Sequence, residues 1–457
     1  MPSASSTPAS AAASPATAQS AGMQSANFKP ALDRELSALL NADKQPAIVN
    51  VSALAIRDGK VVYHNQFGRA TINNAAPDQD RQITDRSLFR IASISKLVVV
   101  VGVMKLVEEG RLNLDDDINK HLGWSLRNPK FPNSPITLRQ LLSHRSSLTD
   151  GPSLYWWDVG INLKDVLVPG GKLYKDGEYW EKDKAPGQWF NYVNLNFGVI
   201  ATVMERATGE RFDKLMDRLV LHPLQMRGGF NPADFSAADV ADIATMYRKR
   251  RNEGDKEIWE PKGPWVVQAD DFSKSKPEQP ENITKYEIGS NGTVFGPQGR
   301  MRTSIESLGN MMFMLMNDGM HAGKQFIKPE SIRAMATEQW RFTPNNPNGD
   351  TDGGGVSSWG VGIQRFMDIS GKDAKGVGTG DRLVEGGGFT AFGHTGDAYG
   401  LMGAFVFDPV NRNGMIVIVC GPSENPDGVP PRWSSMYRWQ EIAITSVYQR
   451  AIKGMAQ

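Results

Sequence analysis

The stretch Ile91-Ala-Ser-Ile-Ser-Lys-Leu-Val-Val-Val100 decides how this chain is read. It opens an apolar run, and the spacing predicts a helix over 93–109 that ends at Gly110. Leu97 to Val101, Val103, Met104, Leu106 and Val107 would cover most of such a helix, which marks it as central and buried. Two serines and a lysine are foreign to that setting. On a helix, Ser93 and Lys96 fall three residues apart on one face, within mutual reach. A serine hydroxyl is a weak nucleophile until a base takes its proton. Lysine serves as that base only when neutral, which near pH 7 means lowering its pKa by roughly three units from about 10.4. Burial in an apolar helix and a neighbouring cation supply such a shift. Ser93 is read as a nucleophile and Lys96 as its base, against the plainer alternative that Ser93 only caps the helix.

The rest of the chain bounds this reading. With 457 residues, 40% hydrophobic and 22% charged, it can bury a large core. A net charge of +1 leaves no electrostatic footprint for nucleic acid or an acidic membrane surface. No apolar run reaches the roughly 18 residues that cross a bilayer. Cys420 is the single cysteine, so an intrachain disulfide and a Cys-based metal site are excluded, and MIVIVCGP reads as a strand with an inert core thiol. The six histidines show no His-Glu-x-x-His spacing, and neither metal nor cofactor is expected. Residues 1–28 are Ala/Ser/Pro-rich and expected to be disordered; they lack the basic and apolar regions of a signal peptide.

Periodicity organises the remaining segments. Residues 47–68 predict a hairpin turning at Asp58-Gly59. Short helices are expected within 115–122 and 136–142, and longer ones over 194–207 and 303–318, where Met311, Met312, Met314 and Met316 read as core filler. The chain between about 150 and 300 is loop-rich and holds six of the eleven tryptophans. Strands return at LMGAFVFDP and MIVIVCG around a turn at Asn411–Gly414, and a helix over 433–452 closes the chain. Strands at both ends around an irregular middle predict an α/β (α+β) domain over 29–457. Its α/β part is expected at 29–115 and 300–457, interrupted by a helical, loop-rich insertion at 116–299.

Ser-x-x-Lys alone is a weak signal, and it recurs at Ser273–Lys276 in a charged stretch with no helix to desolvate the lysine. Two further motifs give it weight. Tyr192-x-Asn194 lies on a turn before a helix, and His394-Thr-Gly396 precedes the strand LMGAFVF. The ordered trio resembles the class C β-lactamase and penicillin-binding-protein-like serine hydrolases, which include esterases and D-amino-acid peptidases. The segment Ile136-Thr-Leu-Arg-Gln-Leu-Leu-Ser-His-Arg-Ser also looks like the family's, and the likeness runs over about 30–450. It implies a transpeptidase-like antiparallel sheet flanked by helices.

The resemblance implies roles as well. Ser93 attacks the carbonyl, and Lys96 and Tyr192 share proton transfer, with the initial base left open. Asn194 orients Lys96 and hydrogen-bonds the substrate, or is merely a turn or cap residue. The N–H groups of Ser93 and Asp397 form the oxyanion hole. His394, Thr395 and Gly396 face the cleft beside Tyr192, a structural histidine being the alternative at 394.

Departures from the family are also expected to matter. A second Tyr-x-Asn at Tyr63–Asn65 is read as chance. Ser-Ser replaces the usual Ser-Gly after His144, so that turn is expected to differ. His394 stands where true β-lactamases carry lysine; a neutral histidine favours neutral esters or amides over β-lactams. Tyr155, Trp156, Trp157, Trp180, Trp189 and Trp265 are candidates to line an apolar cleft or to pack the insertion. Gly353–Gly355 and Gly386–Gly388 read as mobile loops. No Gly-x-Ser-x-Gly elbow is present, which argues against an α/β-hydrolase.

The expected partner is a small-molecule or peptide substrate, cleaved through an acyl-enzyme at an ester or amide. A β-lactamase or DD-peptidase is the second reading, and a non-catalytic binding protein on the same scaffold the third. A periplasmic or secreted location is what the resemblance implies, and the oligomeric state stays open.

Overall fold

The computed structural model describes residues 28–42, 45–152, 155–254 and 256–455. The expected disorder of 1–27 lies outside them. Phe28, assigned to that segment by composition, belongs to the fold instead: it is buried in the same apolar cluster as Leu32, Leu36 and Trp439.

Helix α1 (Lys29–Ser37) leads into β1 (Asn50–Arg57) and β2 (Lys60–Thr71). Asp58 and Gly59 close that hairpin with φ of 51° and 73°. Both are left-handed, as a two-residue turn matched to the strand twist requires. Next come β3 (Arg81–Gln82), β4 (Phe89–Arg90) and α2 (Ile94–Glu108). Further on are α3 (Leu195–Thr208), β5 (Gly228–Gly229), β6 (Arg302–Thr303) and α4 (Ile305–Met316). The chain then forms β7 (Trp340–Arg341), β8 (Ser358–Trp359), β9 (Gln364–Phe366), β10 (Ala391–Ala398), β11 (Leu401–Asp408), β12 (Asn413–Cys420) and α5 (Arg438–Val447).

Nine strands make one antiparallel sheet in the order β7-β8-β9-β10-β11-β12-β1-β2-β3. A small second sheet runs β4-β6-β5. The alternation of side chains distributes the large sheet's strands between two apolar layers. Val51, Ala53, Met402, Val406, Val417 and Val419 pack on one face with α1 and α5. Leu54, Ile56, Phe405, Phe407, Ile416 and Ile418 face the other way, onto α2 and α4. With both faces covered, these strands read as continuous apolar runs. Every residue of α2 from Ile94 to Met104 is buried, because the sheet lies on one side and the middle of the chain on the other. The four methionines of α4 are core, and so is Cys420, whose thiol burial pushes up.

Three expectations need correction. The closing helix starts at Arg438 rather than 433, because the Glu441 carboxylate collects the N–H groups of Arg432, Trp433 and Ser434 and holds them as a turn. The turn before β12 comes earlier than Asn411–Gly414, since Asp408 already pairs with Asn413. The middle of the chain is also not purely helical: 246–248 pairs with 266–269, and 250–253 with 256–259.

Candidate active site

The site forms where the N-terminus of α2 meets β10. Ala92, just before the helix, has φ of 47°, a conformation that non-glycine residues rarely adopt and that often marks a functional turn. Ser93 then occupies the cap position, but its hydroxyl makes no cap bond. It lies 2.9 Å from the Lys96 ammonium nitrogen instead. The capping alternative fails.

Lys96 is fully buried and has three polar neighbours. Its Nζ donates to Asn194 Oδ1 at 2.8 Å and to the Gln298 carbonyl at 2.9 Å, with Ser93 Oγ as the third. Asn194 cannot be turned round, because its Nδ2 donates to Asp150 at 2.8 Å. Two obligate acceptors therefore occupy two N–H groups of Lys96. In the neutral amine, the remaining lone pair faces the Ser93 hydroxyl. Burial lowers the Lys96 pKa to about 7, against an opposing pull from Asp150.

Asp150 also explains why Asn194 is available. It accepts from the N–H groups of Asn194 and Leu195, so it caps α3 from outside and leaves Asn194's own side chain for Lys96. Asn194 makes no side-chain cap bond.

Tyr192 sits against His144, Trp359 and His394 at ring separations of 4.6, 5.8 and 6.0 Å. Burial drives its pKa far up, with a hydrogen bond to Ser93 acting the other way, so it stays a phenol. Lys96 Nζ lies 4.8 Å from the ring centre. His144 Nδ1 accepts from the Val193 N–H at 3.0 Å, which fixes the backbone beside the tyrosine.

His394 Nδ1 is 2.6 Å from the Thr395 carbonyl. A carbonyl only accepts, so Nδ1 carries the hydrogen and Nε2 is left bare, without a partner among the described residues. Burial first, and then the Lys96 charge, lower the His394 pKa to about 3. It is a neutral acceptor at the cleft wall.

Gly396 allows β10 to reach α2, since a Cβ there would lie 2.7 Å from the Ile91 carbonyl oxygen. Two residues, Tyr399 and Gly400, link β10 to β11, and Ala398 pairs with Leu401. That closing pair exchanges hydrogen bonds, so the next pair, Asp397 with Met402, does not. The Asp397 N–H is thereby turned to the free edge of β10, toward α2. The Ser93 N–H likewise has no acceptor among the described residues. Its own carboxylate engaged by the Tyr437 hydroxyl at 2.7 Å, Asp397 contributes its backbone here. Ser93, Tyr192, Asn194, His394, Thr395 and Asp397 line one cavity of about 510 Å³.

The structure therefore brings the sequence-predicted residues together and adds ones that sequence reasoning missed. Asp150, the Gln298 carbonyl and the packing of His144 carry no motif of their own. The turn after His144 keeps a left-handed residue where glycine is usual: Ser147 has φ of 69°, and its hydroxyl bonds the Lys184 carbonyl. The second Ser-x-x-Lys is exposed, and Tyr63 and Asn65 both bond Asp33 of α1. Of the aromatic candidates, only Tyr155 and Trp156 reach this cavity. Trp157 lines a neighbouring one, and Trp180 is core, bonding the Leu167 carbonyl. Trp189 and Trp265 pack on Lys184 and Lys249. Among the described residues no helix is long and apolar enough to cross a membrane, and no cluster of His, Cys, Asp and Glu is spaced to hold a metal.

Comparison with known proteins bears on the family and the fold. The profile described as Beta-lactamase matches residues 32–434. Penicillin-binding protein 4* of Bacillus subtilis (strain 168) is 28% identical over 184 residues, covering 39% of this chain and 37% of that protein. The chain thus matches little more than a third of the length of such curated relatives. Among solved structures, the octameric penicillin-binding protein homologue from Pyrococcus abyssi superposes with a TM-score of 0.57 at 22% identity, covering 93% of this chain and 76% of that one. The D-amino acid amidase from Ochrobactrum anthropi SV3, complexed with D-phenylalanine, gives 0.57 at 18% identity, covering 86% and 92%. At such identities the likeness is one of fold.

Proposed function

Because this chain belongs to the β-lactamase family, we propose that it is a serine hydrolase that cleaves an ester or amide through an acyl-enzyme on Ser93. The observation that carries the reading is the environment of Lys96: buried, with two N–H groups held by fixed acceptors and the third position facing Ser93. Lys96 is then the initial base. Tyr192, held as a phenol, is the proton carrier.

The steps follow from these positions. Ser93 Oγ bonds to the substrate carbonyl carbon as its proton passes to Lys96. The developing oxyanion is met by the N–H groups of Ser93 and Asp397. On collapse, the C–O or C–N bond breaks, and the leaving group takes a proton from the Tyr192 hydroxyl, which Lys96 replenishes. Water then attacks the acyl-enzyme, giving up its proton to the same pair, and the acid is released with Ser93 restored. His394 Nε2 serves as the acceptor that orients the Tyr192 hydroxyl or a substrate N–H. The D-amino acid amidase and penicillin-binding relatives make amides and peptides natural first substrates. A neutral His394 speaks for them over β-lactams.

The test is a serine-directed phosphonate followed by intact mass, alongside a panel of esters, D-amino-acid amides, peptides and a chromogenic cephalosporin. One adduct per chain, mapped to Ser93 and absent from Ser93→Ala, is expected. Labelling at another serine would overturn the assignment.

A further inference from the structure

The cleft has a charged corner that the proposed chemistry does not use. Asp270 is buried and receives four N–H groups: two from Arg90 and two from Arg302. A carboxylate offers about four acceptor sites, so Asp270 is saturated. Arg300 stands on the wall of the same cavity as Arg90. Its guanidinium donates to the Val294 carbonyl, and no carboxylate lies within ion-pair distance of it among the described residues. Two guanidinium groups thus use up one carboxylate, and the third, Arg300, has none. Arg300 and Arg90 both line the cavity that holds Ser93.

The backbone fixes where Arg300 stands. Two residues before it, the Gln298 carbonyl accepts from Lys96; one residue after, Met301 bonds Ile91 and Ser95. Its side chain helps separate the main cavity from a second one of about 290 Å³, and Trp156 and Thr293 are shared by both. Tyr192, which would protonate the leaving group, sits with His394 and Trp359, and none of these three lines the second cavity. The leaving group therefore belongs on the Tyr192 side, and the Arg300 side is left to the acyl half.

We propose that Arg300, together with Arg90, selects substrates whose acyl half carries a carboxylate several atoms from the scissile carbonyl. The inference rests on the acyl-enzyme reading above for its orientation. The guanidinium fork matches a carboxylate in two parallel hydrogen bonds, which a lone ammonium cannot reproduce. Asp158, Glu278 and Glu281 line the second cavity, so an anion is held at the partition and repelled beyond it. The charge that His394 does not supply on one side of the nucleophile is supplied on the other.

The experiment compares the mono-p-nitrophenyl ester of adipic acid with its methyl-capped counterpart, in wild type, Arg300→Gln and Arg300→Lys, with Tm recorded for each. The wild type is expected to prefer the free acid in kcat/KM by several-fold, the scale of a charge pair at an exposed guanidinium. Arg300→Gln should bring the ratio close to one through KM, and Arg300→Lys should fall between. A wild-type ratio near one, or a ratio unchanged in a folded Arg300→Gln, overturns the proposal. A second arm is independent of turnover: tryptophan fluorescence titration of Ser93→Ala with monoethyl adipate and with diethyl adipate, with and without Arg300→Gln. Tighter binding of the monoacid that is lost in the double variant supports the subsite even if no ester is cleaved, an outcome that would sink only the hydrolase reading. Equal binding of the two ligands sinks the subsite alone.

Discussion

Ser-x-x-Lys occurs at 93–96 and again at 273–276, and the comparison shows what turns four letters into chemistry. At the first site the serine is poised at a cavity, the lysine is sealed in apolar helix, and fixed acceptors tell it where to point. At the second, Ser273, Lys274, Ser275 and Lys276 are all exposed, and the serine N–H simply bonds Asp271. Burial, not spacing, separates the two lysines.

The sharpest way to break that contrast is to remove each serine in turn. Ser93→Ala should lower turnover by at least about a thousandfold, as loss of an activated nucleophile does. Ser273→Ala should change nothing measurable. Equal effects in the two variants, read as kcat/KM on the best substrate from the panel, would erase the distinction.

Removing the base or the proton carrier comes next. Lys96→Ala and Tyr192→Phe should each slow acylation by about a hundredfold or more. In the wild type, kcat/KM should rise with pH through a limb near 7, where Lys96 loses its proton. His394 titrates near 3 and Tyr192 above the usual tyrosine range, so neither competes for that limb. A limb that persists in Lys96→Ala would belong to another group.

The same lysine should leave a mark on stability. Its pKa is about 7 folded and about 10.5 unfolded, so between those values the unfolded chain binds more protons. Stability then rises with pH from about 7 to about 10.5, and the penalty is fully present below 7. Lys96→Met should accordingly raise Tm by several degrees at pH 6 and by less at pH 10. A gain that does not depend on pH would point to packing rather than charge.

His394→Lys is the smallest change. A cation there should improve kcat/KM for substrates with a carboxylate on the leaving-group side, and the burial that lowers the His394 pKa holds the gain to about a few-fold by disfavouring the charged lysine. The check is the ratio between a leaving-group acid and its methyl ester; no movement in it would remove charge selection from this position.

Residues whose role depends on short-range pattern are legible in the sequence alone. The Asp58-Gly59 turn, the buried helix after Ser93 and the continuous apolar strands within 401–420 follow from hydrophobic pattern and turn chemistry. The three motifs point to Ser93, Lys96, Tyr192, Asn194 and His394, which the fold gathers at one cleft. Asp150 and Gln298 are not legible, because one acts by bonding N–H groups 44 and 45 positions away and the other through a carbonyl that every residue possesses. Arg300 is hidden for a related reason. Its significance lies in Asp270 being saturated by two other arginines, which no local window reveals.

The large sheet ends at both sides on strands of only two residues, Trp340–Arg341 and Arg81–Gln82. Yet β3 pairs only with the Arg69 and Thr71 end of β2, so most of the outer ladder of that twelve-residue strand stays open among the described residues. A further strand has room to add along that length of β2, and not on the two-residue strands at the borders.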